Sequence, residues 1–172
     1  METFVQGWSL TIVLCGFIVL VFLGGWLHVH RELAWVKALT DQLGAELVDT
    51  SKKPKVTVPS GPPPTGLEVE EIVEGTGAEA KAGDEVSVQY VGVGYESEEE
   101  FDSSWSRNEP FSFQLGAGMV IPGWDQGVAG MKVGGRRELI IPPELAYGEA
   151  GSPPGIGPNE TLIFVIDLLA VK

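Results

Sequence analysis

A chain of 172 residues holds one ordinary domain and an appendage, but not two full-sized cores. Its 24 acidic residues against 11 basic ones give a formal net charge of −13, which repels phosphate backbones and argues against nucleic acid as a partner. Cys15 is the single cysteine and His28 and His30 are the only histidines, which leaves no internal disulfide framework and no multi-cysteine metal site.

The first element in chain order is an apolar one. No side chain from Thr3 to Leu27 is charged, Leu10 to Leu27 is almost wholly apolar, and Trp8 and Trp26 stand near its two ends. At a rise of about 1.5 Å per residue, about 20 residues cross a bilayer core of about 30 Å, so this pattern predicts a transmembrane helix over 8–27. A cleaved signal peptide would open with basic residues and close on a small-residue cleavage site, whereas this segment opens with Glu2 and closes on Gly24, Gly25 and Trp26. Cys15 then reads as a small apolar residue of a membrane helix. Arg31, Lys37, Lys52, Lys53 and Lys55 all follow the span and none precedes it, so the positive-inside tendency favours a single-pass protein with its carboxy-terminal bulk in the cytoplasm.

Over 28–48 the residues Leu33, Val36, Leu39, Leu43 and Leu47 recur every three or four positions, which predicts a juxtamembrane amphipathic helix. It is too short for a coiled coil to be claimed. His28 and His30 are two apart, on different sides of such a helix, and are poor metal ligands. Residues 49–66 carry Pro54, Pro59, Pro62, Pro63 and Pro64 among Ser, Thr and Lys, and read as a proline-rich, semi-extended linker.

After Gly66 the chain holds nineteen acidic and six basic residues, so the excess charge belongs to this portion alone. Its pattern turns from helical to alternating. Val69 with Ile72 and Val73, then Val86, Val88 and Tyr90, then Phe111, Phe113 and Leu115 alternate largely with polar neighbours; Arg136 to Ile141 and Thr161 to Val171 supply two more strands. The last is apolar on both faces and therefore central. Gly and Pro clusters separate the strands. One stretch differs: Pro122 to Ala129 opens with proline at a first helical position and places Trp124 and Val128 four apart on one face. Residues 67–172 thus read as an α+β domain, an antiparallel sheet with one short helix on its concave side.

This domain contains no histidine, no cysteine, no GxSxG elbow and no phosphate-binding glycine loop, and no metal or cofactor is expected in it. It holds aromatic and branched residues instead. Phe113 reads as core, but Trp124 enters its helix from a turn, and Tyr147 and Ile156 lie in loops marked by proline and glycine. Large apolar groups on loops point to a dry pocket. The run Glu96, Ser97, Glu98, Glu99, Glu100 reads as a solvated loop tip.

The runs Phe101-Asp102-Ser103-Ser104, Arg107-Asn108-Glu109-Pro110-Phe111, Val120-Ile121-Pro122-Gly123-Trp124, Ala146-Tyr147-Gly148 and Thr161-Leu162-Ile163-Phe164 closely resemble the FKBP-type peptidyl-prolyl cis-trans isomerases, in that family's order. The resemblance implies an antiparallel sheet wrapped around a short helix, with an aromatic pocket for a proline ring. By it, Trp124 is the pocket floor, Tyr90, Phe111, Val120, Ile121 and Phe164 are walls, and Phe101 and Ile156 lie at the rim. It makes Tyr147 the donor to a substrate carbonyl and Asp102 a buried carboxylate beside the twisting amide, held by Arg107 and Tyr90. The implied activity is isomerisation of X-Pro bonds in proline-containing polypeptide clients, with binding of macrolide immunosuppressants in the same pocket. The alternative is a membrane-tethered module or folding helper that binds proline peptides with little turnover. The glutamate-rich loop before Phe101 and the loop from Glu149 to Pro158, which carries Ser152, frame the pocket mouth.

Overall fold

A computed structural model describes residues 49–172; the helices expected over 8–27 and 28–48 lie outside the described residues. Among the described residues, no helix is long and apolar enough to cross a membrane. Six strands form one antiparallel sheet: β1 (Glu68–Val73), β2 (Glu85–Gly94), β3 (Glu100–Ser103), β4 (Phe111–Gln114), β5 (Arg136–Ile141) and β6 (Leu162–Val171). The order is β1-β5-β6-β2-β3, with β4 also on β2. Strand β2 is long enough to split its free side, Glu85–Val88 pairing with β4 and Val91–Val93 with β3. As its two-faced apolar pattern predicts, β6 is central, between β5 and β2.

Among the described residues two α-helical segments and two 3-10 turns interrupt the strands. The longer, α2 (Pro122–Gly127), starts with proline at its first turn, and Trp124 and Val128 share its buried side as their spacing predicts. It lies tight on β5 because two of its residues lack side chains: a Cβ on Gly123 would stand 2.4 Å from Ile141, and one on Gly127 would stand 2.5 Å from Leu139. The shorter, α1 (Ser104–Arg107), is a single turn closed by Asn108 at φ 52°. Within 67–172, sequence patterning predicts only one helix and no strand at β3; four-residue elements are too short to show a period.

Side chains alternate between two faces of the sheet. The inner face carries the main core, including Val88, Tyr90, Leu139, Ile141, Phe164, Ile166 and Leu168 around Trp124 and Val128. The outer face carries a second cluster of Tyr95, Ile140 and Ile163. Beside it lies a bidentate ion pair, Arg136 Nε to Asp167 Oδ1 at 2.6 Å and Nη2 to Oδ2 at 2.8 Å, with side chains 0% and 2% exposed. Burial pushes the Asp167 carboxyl above the usual range, against the pull of Arg136.

The proline-rich segment is what covers this outer face. After a turn that ends at Lys52, residues 53–59 form neither helix nor strand, with Pro54 buried and Val56 and Val58 packed on Tyr95, Ile140 and Ile163. The Lys52 carbonyl accepts from Arg136 Nη2 at 2.9 Å, the Pro59 carbonyl accepts from the Tyr95 hydroxyl at 3.2 Å, and Lys53 Nζ bonds Glu100 at 2.7 Å. A spacer was expected from the proline content; the alternation of Pro54, Val56 and Val58 with Lys55 and Thr57 is the strand-like signal that makes this stretch a strap. Replacing Val56 and Val58 together by alanine is expected to cost about 1–2 kcal/mol of stability through lost burial, read as a lower urea midpoint of the full chain. An unchanged midpoint would mean that the strap does not hold to the sheet.

Candidate functional site

The register of the sheet builds the site. Leu139, Phe164, Gly92 and Asp102 stand opposite one another across β5, β6, β2 and β3, so Phe164 and Asp102 flank a position with no side chain. That gap is needed: a Cβ on Gly92 would lie 2.7 Å from the Phe101 ring and 2.8 Å from the Phe164 ring. Two residues earlier on the same face of β2 comes Tyr90, and α2 brings Trp124 up against both walls.

Trp124 is boxed by ring edges. Tyr90 meets it at 5.0 Å and 84°, Phe164 at 5.2 Å and 89°, and Phe111 at 6.1 Å and 73°, the perpendicular arrangements that aromatic quadrupoles favour. Phe113 lies 5.6 Å away and stacks on Phe111 at 5.5 Å. Phe101 stands edge-on to Phe164 at 5.6 Å, and Ile156, Val120 and Ile121 pack on the same cluster. Exposure grades outward. Leu139 and Ile141 behind the helix are fully buried, Trp124, Tyr90, Phe164 and Ile156 keep 4–7%, and Phe111 reaches 37%. The indole is thus a buried member of the main cluster at its outer margin, next to the exposed Phe111. Its Nε1–H is buried without a hydrogen-bond partner.

At one wall sits a polar triad. The Tyr90 hydroxyl donates to Asp102 Oδ2, Arg107 Nη1 donates to Asp102 Oδ1, and Arg107 Nη2 donates to the Tyr90 oxygen at 2.8 Å, with the guanidinium 5.7 Å from the Tyr90 ring centre. The Ser103 amide donates to Asp102 Oδ1 at 2.8 Å. Ser104, fully buried at the start of α1, accepts from the Tyr90 amide at 2.8 Å and so ties this turn to β2. Sequence reading missed Gly92 and Ser104, since each acts through its neighbours rather than through chemistry of its own.

Asp102 differs from the expected buried carboxylate: its side chain is 40% exposed, and that of Arg107 is 48% exposed. Burial resists its ionisation, but the hydrogen bonds from Tyr90 and Arg107 outweigh that and hold the carboxyl below its ordinary range. Tyr90 moves the other way. Burial, with the hydrogen bond to Asp102, pushes its phenol up to about 12 against the pull of Arg107. At neutral pH the triad is therefore carboxylate, neutral phenol and guanidinium. Tyr147 stands apart from the ring contacts, between 3-10 turns at Pro143–Leu145 and Gly148–Ala150; Leu145 and Ala146 pack on the cluster while Tyr147 is 42% exposed.

The box of aromatic rings around Trp124 and the Asp102 carboxylate held by Tyr90 and Arg107 beside it place apolar rings and one fixed charge together on the helix-bearing side of the sheet. Residues 77–169 match the family of FKBP-type peptidyl-prolyl cis-trans isomerases, and the chain belongs to that family. It is 62% identical over 121 residues to an FK506-binding protein of Streptomyces anulatus, covering 70% of this chain and 98% of that one. A match of that length has to include residues 52–66, so the strap falls within it. It is 55% identical over 93 residues, 54% of this chain and 69% of the relative, to the peptidyl-prolyl cis-trans isomerase FPR2 of Saccharomyces cerevisiae. Among solved structures, the crystal structure of AtFKBP13 superposes with a TM-score of 0.59 at 40% identity, over 64% of this chain and 96% of that one.

Because the folded Tyr90 phenol titrates above its unfolded value of about 10, its contribution to stability is complete below that pH and lost as pH rises through about 12. Asp102→Asn removes the charged acceptor, and the tyrosinate absorbance assigned to Tyr90 by comparison with Tyr90→Phe is expected to appear at lower pH than in the wild type. An unmoved titration would show that the two groups do not share a proton-bearing hydrogen bond.

Proposed function

We propose that the chain isomerises X-Pro bonds of polypeptide clients in the slot over Trp124, and that it does so tethered to a membrane by residues 8–27. The observation that carries the reading is the box of ring edges around an indole that retains a few per cent of its surface. A pyrrolidine ring placed there loses water from an apolar face and gains contact with four aromatic rings.

Rotation about an X-Pro bond makes and breaks no covalent bond; it has only to lose amide resonance, at a barrier of about 18–20 kcal/mol. The planar amide is strongly dipolar, whereas the twisted one has its lone pair back on nitrogen and a more ketone-like carbonyl. Moving the group from water into an apolar cleft penalises the planar form more, and each tenfold gain in rate needs about 1.4 kcal/mol of that difference. In this reading Asp102, kept anionic and oriented by Tyr90 and Arg107, faces the rotating amide from the lip of the slot. Tyr147, exposed at the mouth, offers its hydroxyl to a client carbonyl, and Phe101 and Ile156 border the ring site. Relatives named for FK506 binding support the same slot as a macrolide site.

Trp124→Ala is expected to lower kcat/KM for proline-peptide exchange by more than about tenfold, and Asp102→Val by about tenfold with peptide affinity changed less than about threefold. A wild-type protein that binds the peptide yet leaves exchange at its spontaneous rate would make this a binding module. For the tether, the support is the uncharged stretch from Thr3 to Leu27 with tryptophans near both ends and basic residues only after it. The full chain is expected to stay with the membrane pellet under alkaline carbonate extraction, with residues after 31 cut by protease added to the cytoplasmic side; release into the supernatant would remove the anchor.

A further inference from the structure

We propose that Glu160, backed by Glu96, is a positioning residue for the client site: the two carboxylates hold the loop from Gly148 to Asn159 so that Ile156 stays seated on the ring cluster. The inference rests on the reading of the rings around Trp124 as the proline site. Ile156 is 6% exposed and packs on that cluster. Its neighbour Gly155 runs beside Phe101, where a Cβ would stand 3.4 Å from the Phe101 Cβ. The loop thus reaches the site through Ile156, and whatever fixes Ile156 fixes that border.

Backbone bonds close the loop at two levels. The Asn159 amide donates to the Gly148 carbonyl at 2.9 Å, the Ser152 amide donates to the Ile156 carbonyl at 3.0 Å, and the Ile156 amide donates to the Ser152 carbonyl at 3.1 Å. The next donor along the chain, the Gly157 amide, is met by a side chain instead: Glu160 Oε2 accepts from it at 2.6 Å. The Ile156 carbonyl and the Gly157 N–H belong to one planar peptide unit, so Ser152 and Glu160 grip that plane from its two ends. A rotation of this plane would carry the Ile156 side chain with it.

Glu160 is in turn anchored from the glutamate-rich turn. Thr161, the residue after it, is 2% exposed and held at both backbone groups: its carbonyl accepts from the Tyr95 amide at 2.8 Å, and its amide donates to Glu96 Oε2 at 3.1 Å. The two stretches meet over Gly94, where a Cβ would collide with both Glu160 Oε1 and Ser97 Oγ. Glu160 Oε1 is buried there with no hydrogen-bond partner, a cost that a solvated surface glutamate does not carry. Charge patterning assigns the run from Glu96 to Glu100 to solvent, yet its first carboxylate reaches back to the strand end that carries Glu160. A border contact such as that of Ile156 serves ground state and transition state alike, so its loss acts on KM rather than on kcat.

The test uses the full chain, a proline-peptide exchange assay and NMR. Glu160→Ala is expected to raise KM by about fivefold with kcat held within about twofold. In the same variant the Gly157 amide should exchange with solvent more than about tenfold faster, and the Ile156 methyl signals should move. Glu160→Gln keeps an accepting oxygen for Gly157 and is expected to restore KM to within about twofold of the wild type. A purely structural role would lower stability without this split and without the rescue. An unchanged KM and unchanged Gly157 exchange in Glu160→Ala would overturn the proposal, as would a Glu160→Gln protein impaired as much as Glu160→Ala. Should Glu160→Ala not fold, Glu96→Ala decides: it is expected to raise KM by about twofold to threefold and to move the Ile156 signals, and no change in either would overturn the proposal. Failure of the underlying reading of the proline site looks different. The wild type would then leave exchange at its spontaneous rate, while Gly157 exchange and the Ile156 signals would still decide whether Glu160 holds the loop.

Discussion

The rest of the structure depends on how closely one short helix approaches one strand. Glycines at 123 and 127 let α2 lie directly on Ile141 and Leu139, and this depth brings the Trp124 indole level with Tyr90 on β2 and Phe164 on β6. Six residues cannot hold a helix by their own hydrogen bonds. Packing holds it, with Val128 on the same buried side and Asp125 tied back to the preceding turn. The ring box is therefore a product of tertiary contact, and a side chain on either glycine would lift the floor out of its walls.

The polar side of the site obeys the same logic on another edge of β2. Because β2 carries β4 on its first half and β3 on its second, the strand that holds Tyr90 also receives Phe111 from one neighbour and Asp102 from the other. Ser104 joins the two through the Tyr90 amide, so a single turn of helix sets where Arg107 can reach. A carboxylate placed at the lip of an apolar slot keeps its charge because three donors surround it, and its half-exposed position keeps its desolvation cost modest. Electrostatics and hydrophobicity are separated by the width of one strand.

Much of this was legible in the sequence. Alternation marked three of the six strands and apolar runs two more, the Pro122 signal and the spacing of Trp124 and Val128 marked the helix, and nine of the ten residues named for the pocket form one contact network. What escaped was set by longer-range contact. The four residues of β3 have no period of their own and become a strand only through pairing with β2. Gly92 and Ser104 carry no chemistry that a pattern can show. The strap was obscured by prolines, although the alternation of Pro54, Val56 and Val58 was present once a sheet face existed to receive it. The exposure of Asp102 is a matter of where α1 ends, and no local rule fixes that.

The strap also determines how the molecule presents itself. Residues 52–59 lie on the face of the sheet that carries Tyr95, Ile140 and Ile163, while the indole lies on the other. The sheet therefore stands as a screen between the strap and the rings around Trp124. A molecule lying against those rings leaves the strap in place, and a change that loosens the strap reaches them only through the sheet between.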